Sequence, residues 1–126
     1  MKPDRLIAII CLLGGVLLIV IGVRYFLVPE QAARTFGVPG RPAGYELYNI
    51  IALRNVWLGL LAVGFALLRQ WTALTLWFGL GAFVCFADAA IVAGSAGRWP
   101  NLAFHVTCGF ACIGLAVAAW RYARRG

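Results

Sequence analysis

Four apolar runs dominate the chain, at about residues 6–28, 45–68, 71–93 and 102–120, and each offers the ~20 residues that a helix needs to cross the hydrocarbon of a bilayer. Little chain is left between them. In hydrocarbon every backbone amide must find its partner within protein, so runs of this length predict helices rather than an open sheet. With 63% hydrophobic and 12% charged residues among 126, the sequence excludes a soluble enzyme, a disordered tail and a small disulfide scaffold. The expected fold class is all-α: one transmembrane domain over residues 1–126, an integral membrane four-helix bundle with a short interfacial helix between helices 1 and 2.

The connections support this division. The first run follows Lys2 and Arg5 and leads into Arg24-Tyr25-Phe26 rather than a small-residue cleavage site, so it reads as a retained span and not a secretory signal. Next comes a segment in which Pro29 opens a helix, Glu30 sits near its positive end and Gly37 terminates it; Pro39, Gly40 and Pro42 then break the chain. Arg69-Gln70 is a very tight connection and predicts that the second and third spans are antiparallel neighbours. Residues 94–101 supply the last turn, centred between Ala96 and Gly97. Trp71, Trp99 and Trp120 lie near span ends, where indole rings settle at the membrane interface. Gly14, Gly15, Gly22, Gly59, Gly64, Gly79 and Gly81 would let helices approach closely, although no GxxxG motif stands out.

Eleven Lys and Arg against four Asp and Glu give a formal charge of +7, which in a soluble domain would suggest nucleic acid. Here location decides otherwise. Lys2, Arg5, Arg69, Arg121, Arg124 and Arg125 fall at the ends of apolar runs on one side, against Arg34, Arg41 and Arg98 on the other. The excess predicts a multi-pass membrane protein with both termini cytoplasmic. The expected partner is the lipid bilayer, with a lipophilic small molecule and a homo-oligomer or larger membrane complex as further candidates and no nucleic acid. Cys11, Cys85, Cys108 and Cys112 all sit inside apolar runs without a zinc-ligand spacing, so they read as small buried apolar residues. His105, Cys108 and Cys112 share one helical stripe, but a single histidine is a poor anchor for a metal or haem; neither metal nor cofactor is expected.

An ionisable side chain in hydrocarbon costs ~2.5–3.5 kcal/mol on insertion scales, so each one in a span requires a partner or water. Arg24, Glu46, Arg54, Asp88 and His105 qualify, with Asn49 and Asn55 beside them. All but Arg54 favour the half of the membrane away from the basic termini. Equal depths in the last hairpin pair Asp88 with His105 and Cys85 with Cys108, which predicts an Asp88 to His105 contact and makes Arg54 a second partner for Asp88. One functional reading follows: a pocket in the outer half that binds a lipophilic molecule bearing a polar head. Glu46, Arg54, Asn55 and Arg24 would be its ligand-binding residues, while catalytic Asp88 would orient His105 as general acid or base. The alternative is a non-enzymatic accessory or structural subunit of a larger membrane complex, whose charged pairs hold helices together. A proton or solute pathway is disfavoured by the almost wholly apolar cytoplasmic half.

The stretch from Tyr25 through Pro29-Glu30-Gln31 and Arg34-Thr35-Phe36-Gly37 to Pro39, followed by Arg54-Asn55, Leu58-Gly59, a late Asp in the third span and an early His in the fourth, resembles small four-helix bacterial membrane proteins of unknown function near the DoxX-like families. The resemblance implies a four-helix protein of the bacterial inner (cytoplasmic) membrane in which Arg54, Asp88 and His105 are the recurring polar positions. It implies no activity. Asn55 stands where many such relatives carry an acidic residue.

Overall fold

The computed structural model describes residues 2–40, 44–95 and 97–125. Arg41 and Pro42, read above as a loop charge and a chain break, and Ala96, beside the expected centre of the last turn, lie outside the described residues. Five helices follow in chain order: α1 (Pro3–Leu27), α2 (Pro29–Phe36), α3 (Glu46–Leu67), α4 (Trp71–Ala93) and α5 (Trp99–Ala123). All except α2 are long and apolar enough to cross a membrane, which defines a multi-pass protein of four spans. The described residues contain no strand.

Local chemistry sets the helix ends. Pro3, Pro29 and Pro100 each occupy the first turn of a helix, where the missing N–H forfeits no intrahelical bond. Helix α5 starts before the apolar run does because the Arg98 backbone N–H donates to Asn101 Oδ1 at 3.0 Å and caps the first turn. At its other end α5 continues past Trp120 to Ala123, which puts the Arg121 cation at the negative end of the helix.

The four spans are apolar on every side, so hydropathy does not say which faces meet. Small residues decide that. A Cβ built on Gly15 would stand 2.8 Å from the Gly59 carbonyl oxygen, one on Gly59 would stand 2.6 Å from the Gly15 carbonyl oxygen, and one on Gly22 would stand 2.7 Å from that of Ala52. Along this seam α1 and α3 run backbone to backbone. Helices α4 and α5 form a second close pair, with Gly109 beneath the Phe86 ring.

The expectation that α3 and α4 are antiparallel neighbours holds, although neither is the other's main packing partner. Arg69, at φ 52° in the left-handed region, makes the tight turn, yet the two helices touch only sparsely. Lipid offers no hydrophobic drive to join spans merely because they are adjacent in sequence; contact follows close backbone approach instead.

A buried cluster of Cys11, Ala66, Leu74, Phe78 and Ala119 joins all four spans in the half that carries the N-terminus, the α3–α4 turn and the C-terminus. This is the basic end. There the Arg69 guanidinium forms a salt bridge with Asp4, and the Trp71 and Tyr122 rings lie 5.0 Å apart. A second cluster of Tyr25, Ala32, Ala33, Tyr48 and Ala52 fastens α2 to α1 and α3 at the opposite end.

Replacing Gly59 by Val should lower stability by at least the ~1–3 kcal/mol typical of an overpacked site, since the obstruction is backbone. Gly79→Ala, at a position where an added methyl would meet nothing within 4 Å, should leave stability unchanged or slightly raised. Thermal unfolding of both variants in mild detergent checks the contrast.

Candidate functional site

At the opposite end the short helix α2 packs with Ala32 and Ala33 inward and leaves Gln31, Arg34 and Thr35 exposed. It ends at Gly37, whose φ of 107° favours glycine and whose N–H donates to the Ala33 carbonyl at 3.0 Å. The remaining carbonyls at that end need donors from elsewhere. They receive them from α5 and the α4–α5 turn. Asn101 Nδ2 donates to the Thr35 carbonyl at 2.7 Å, Ser95 Oγ donates to the Gly37 carbonyl at 3.0 Å, and His105 Nε2 donates to the Phe36 carbonyl at 2.8 Å. The Phe36 ring stands edge-on to the His105 imidazole with centroids 4.4 Å apart.

His105 is thus buried, and its role is partly fixed. A carbonyl oxygen can only accept, so Nε2 carries hydrogen and any further proton must go to Nδ1. Asp88 lies close enough to interact electrostatically with His105 and with Tyr25, yet it forms neither a hydrogen bond nor a salt bridge with any described residue. The direct Asp88 to His105 pairing expected from equal depth is replaced by the α2 carbonyl: the C-terminus of α2 lies against α5 and the α4–α5 turn and offers the Phe36 oxygen to His105 Nε2.

Arg54 does not join them. Its side chain is exposed and forms no hydrogen bond or salt bridge with a described residue. Glu46 is likewise exposed at the start of α3, and Asn55 is half-buried. Arg24 Nη2 donates to Thr35 Oγ1 at 3.2 Å, which ties the end of α1 to α2 rather than to a ligand cavity. Cys85, Cys108 and Cys112 lie near one another between α4 and α5, where Cys85 pairs with Cys112. Among the described residues no group of three or more His, Cys, Asp and Glu side chains is disposed to hold a metal ion.

Sequence reasoning missed four participants. Tyr25 and Tyr48, with rings 5.9 Å apart, form the buried aromatic floor of this end, and Tyr48 Oη donates to the Gly40 carbonyl at 3.3 Å. Asn101 and Ser95 hold α2. A signal for Asn101 was present, since it stands three residues after the α5 cap and a glycine-terminated α2 must leave carbonyls to satisfy. No period or composition marked the tyrosines.

Two surface clefts lie elsewhere. One of about 270 Å³ opens at the basic end between Arg5 and Arg69. The other, of about 620 Å³, follows the outward face of α3 from Trp57 to Leu68. Neither is lined by Glu46, Arg54, Asp88 or His105.

Residues 15–121 match the family described as a domain of unknown function, DUF4267, and the chain belongs to that family. Nothing in the match links it to the DoxX-like families. Among curated proteins and among solved structures nothing matches the chain significantly.

If His105 holds α2, then His105→Ala should weaken its docking by about 1–3 kcal/mol, the range for a buried polar group that loses its partner, and Asn101→Ala, whose hydrogen bond is exposed, by about 0.5–1.5 kcal/mol. Hydrogen exchange should accelerate in α2 amides while the centres of α4 and α5 keep their protection. Unchanged exchange in α2 would contradict the docking role.

Proposed function

We propose that the chain is a non-catalytic membrane subunit that pairs with a second copy of itself through the outward face of α3. Exposed Arg54 carries this reading. It lies eight residues into α3, about 12 Å from the helix start at 1.5 Å per residue, and so well inside the hydrocarbon. Left against lipid it would cost ~2.5–3.5 kcal/mol, reduced only in part by bending outward. Nothing described in its own chain compensates it. A protein surface against α3 would.

The surroundings favour a second copy. Glu46, Ile50, Arg54, Trp57, Leu61, Gly64 and Leu68 recur at helical spacing on one side of α3, away from the glycine seam with α1. This stripe has opposite charges at two levels and, further along, a groove walled by Trp57, Leu61 and Gly64 that side chains of a neighbouring α3 would fill. A two-fold interface requires such self-complementarity. With α3 helices parallel, each Arg54 bends its guanidinium toward the headgroup level, where the Glu46 carboxylates of both copies lie.

A second reading is a binding site for a lipophilic molecule with a polar head, acid/base chemistry included. Its supporting observation is half-buried Asp88, set among His105 and Tyr25 without a hydrogen-bond or salt-bridge partner among the described residues. In that reading Asp88 touches the ligand and Nδ1 of His105 exchanges the proton. The outward direction of Arg54 favours the subunit reading.

For orientation we propose that the basic end faces the cytoplasm of a bacterial inner membrane, since basic residues accumulate on the untranslocated side. A C-terminal reporter that is active only in the cytoplasm should therefore be active. Inactivity would reverse the topology.

The purified chain should be dimeric by light scattering in mild detergent and by photobleaching steps in bilayers. Arg54→Leu should weaken the dimer about tenfold without loss of helicity, in line with measured interhelical polar contacts. Glu46→Arg combined with Arg54→Glu should restore it. A monomeric wild-type chain in bilayers would overturn the reading.

A further inference from the structure

The cleft at the basic end lies between the first turns of α1 and the last turn of α3. Its walls are apolar, made by Ala8, Ile9, Leu12 and Leu67, and its rim carries two guanidinium groups, Arg5 and Arg69. The glycine seam explains where it opens. Gly15 and Gly59 hold α1 and α3 at backbone contact further into the membrane, whereas the side chains at residues 5–12 and 66–69 leave a gap facing lipid.

We propose that this cleft binds one anionic phospholipid, its phosphate between Arg5 and Arg69 and one acyl chain against Ile9, Leu12 and Leu67. The charges fit that occupant. Asp4 accepts from Arg69 Nη1 and so holds the guanidinium beside α1. A guanidinium presents five N–H donors in a planar fork, so this bridge leaves others for a phosphate oxygen. Arg5 adds a second cation across the rim, and the two arginines with Asp4 leave the site with a net positive charge.

Depth fits as well. Arg5 to Leu12 spans seven residues, about 10 Å of helix, so a headgroup at the arginines places the upper part of its chain beside Leu12. Two other arginines at this end are arranged differently. Arg124 lies over the Trp120 ring with 4.8 Å to the centroid, and Arg125 lies over that of Tyr122 with 5.6 Å. They add attraction to an anionic surface without an apolar cleft between them, and the proposal does not depend on the α3 dimer.

The test uses the full chain in vesicles of phosphatidylcholine containing one quarter phosphatidylglycerol, the latter with a photoactivatable group on its acyl chain. Crosslinks mapped by mass spectrometry should fall on residues 8–12 and 66–67. Arg5→Gln and Arg69→Gln should each reduce them about fivefold, the effect of one basic residue near an anionic surface. Arg124→Gln and Arg125→Gln should change them little. Asp4→Asn, which releases Arg69 but keeps both cations, should preserve or increase crosslinking. Added inorganic phosphate should not displace the lipid. Equal losses for all four arginine variants would show a diffuse surface charge and overturn the site. Loss in Asp4→Asn equal to that in Arg69→Gln would assign the effect to the ion pair and overturn it too. Circular dichroism of each variant confirms that the helices persist.

Discussion

Close approach of helix backbones is the constraint from which the rest of this molecule follows. Lipid tails are as apolar as leucine, so spans gain little by hiding apolar surface from lipid and must gain by packing. The Gly15–Gly59 and Gly22–Ala52 contacts satisfy that requirement between α1 and α3, and the Gly109–Phe86 contact does so between α4 and α5. Two tight pairs result. They meet around Cys11, Ala66, Leu74, Phe78 and Ala119 and are tied near both ends by polar groups, Asp4 with Arg69 at one and α2 with α5 at the other.

This arrangement divides the intramembrane polar residues between different tasks. His105 and Asn101 satisfy the end of α2, Arg24 reaches the side of the same helix, and Asp88 remains near Tyr25 and His105. Arg54 faces outward. A carboxylate, an imidazole and a guanidinium at related depths are therefore not sufficient to define a catalytic constellation. Direction around each helix axis matters as much as depth, and the Phe36 carbonyl takes the imidazole nitrogen that depth alone would assign to the carboxylate.

The fold was legible because its signals were long. Four apolar runs, prolines at helix starts and a glycine at the end of α2 each have a physical consequence that does not depend on tertiary contact. The candidate site was less legible for two reasons. Spans apolar on every side give no periodic cue to rotation, so nothing in the sequence said that Arg54 points away from Asp88. An irregular insertion such as α2 also brings carbonyls to a histidine that sequence spacing alone would pair with a carboxylate. The choice of Gly15 and Gly59 over Gly64 or Gly79 as contact residues was likewise hidden until the helices were placed.

The polar ties near both ends also govern how the bundle meets its solvent. Helix α1 has 25 residues and α3 has 22, about 37 and 33 Å at 1.5 Å per residue, while the hydrocarbon layer is ~30 Å thick. An unfastened helix could accommodate a thinner layer by leaning on its own. Here the salt bridge and the α2 clasp oppose independent tilting, so the whole body leans together and α2 changes its angle to the headgroup plane with it.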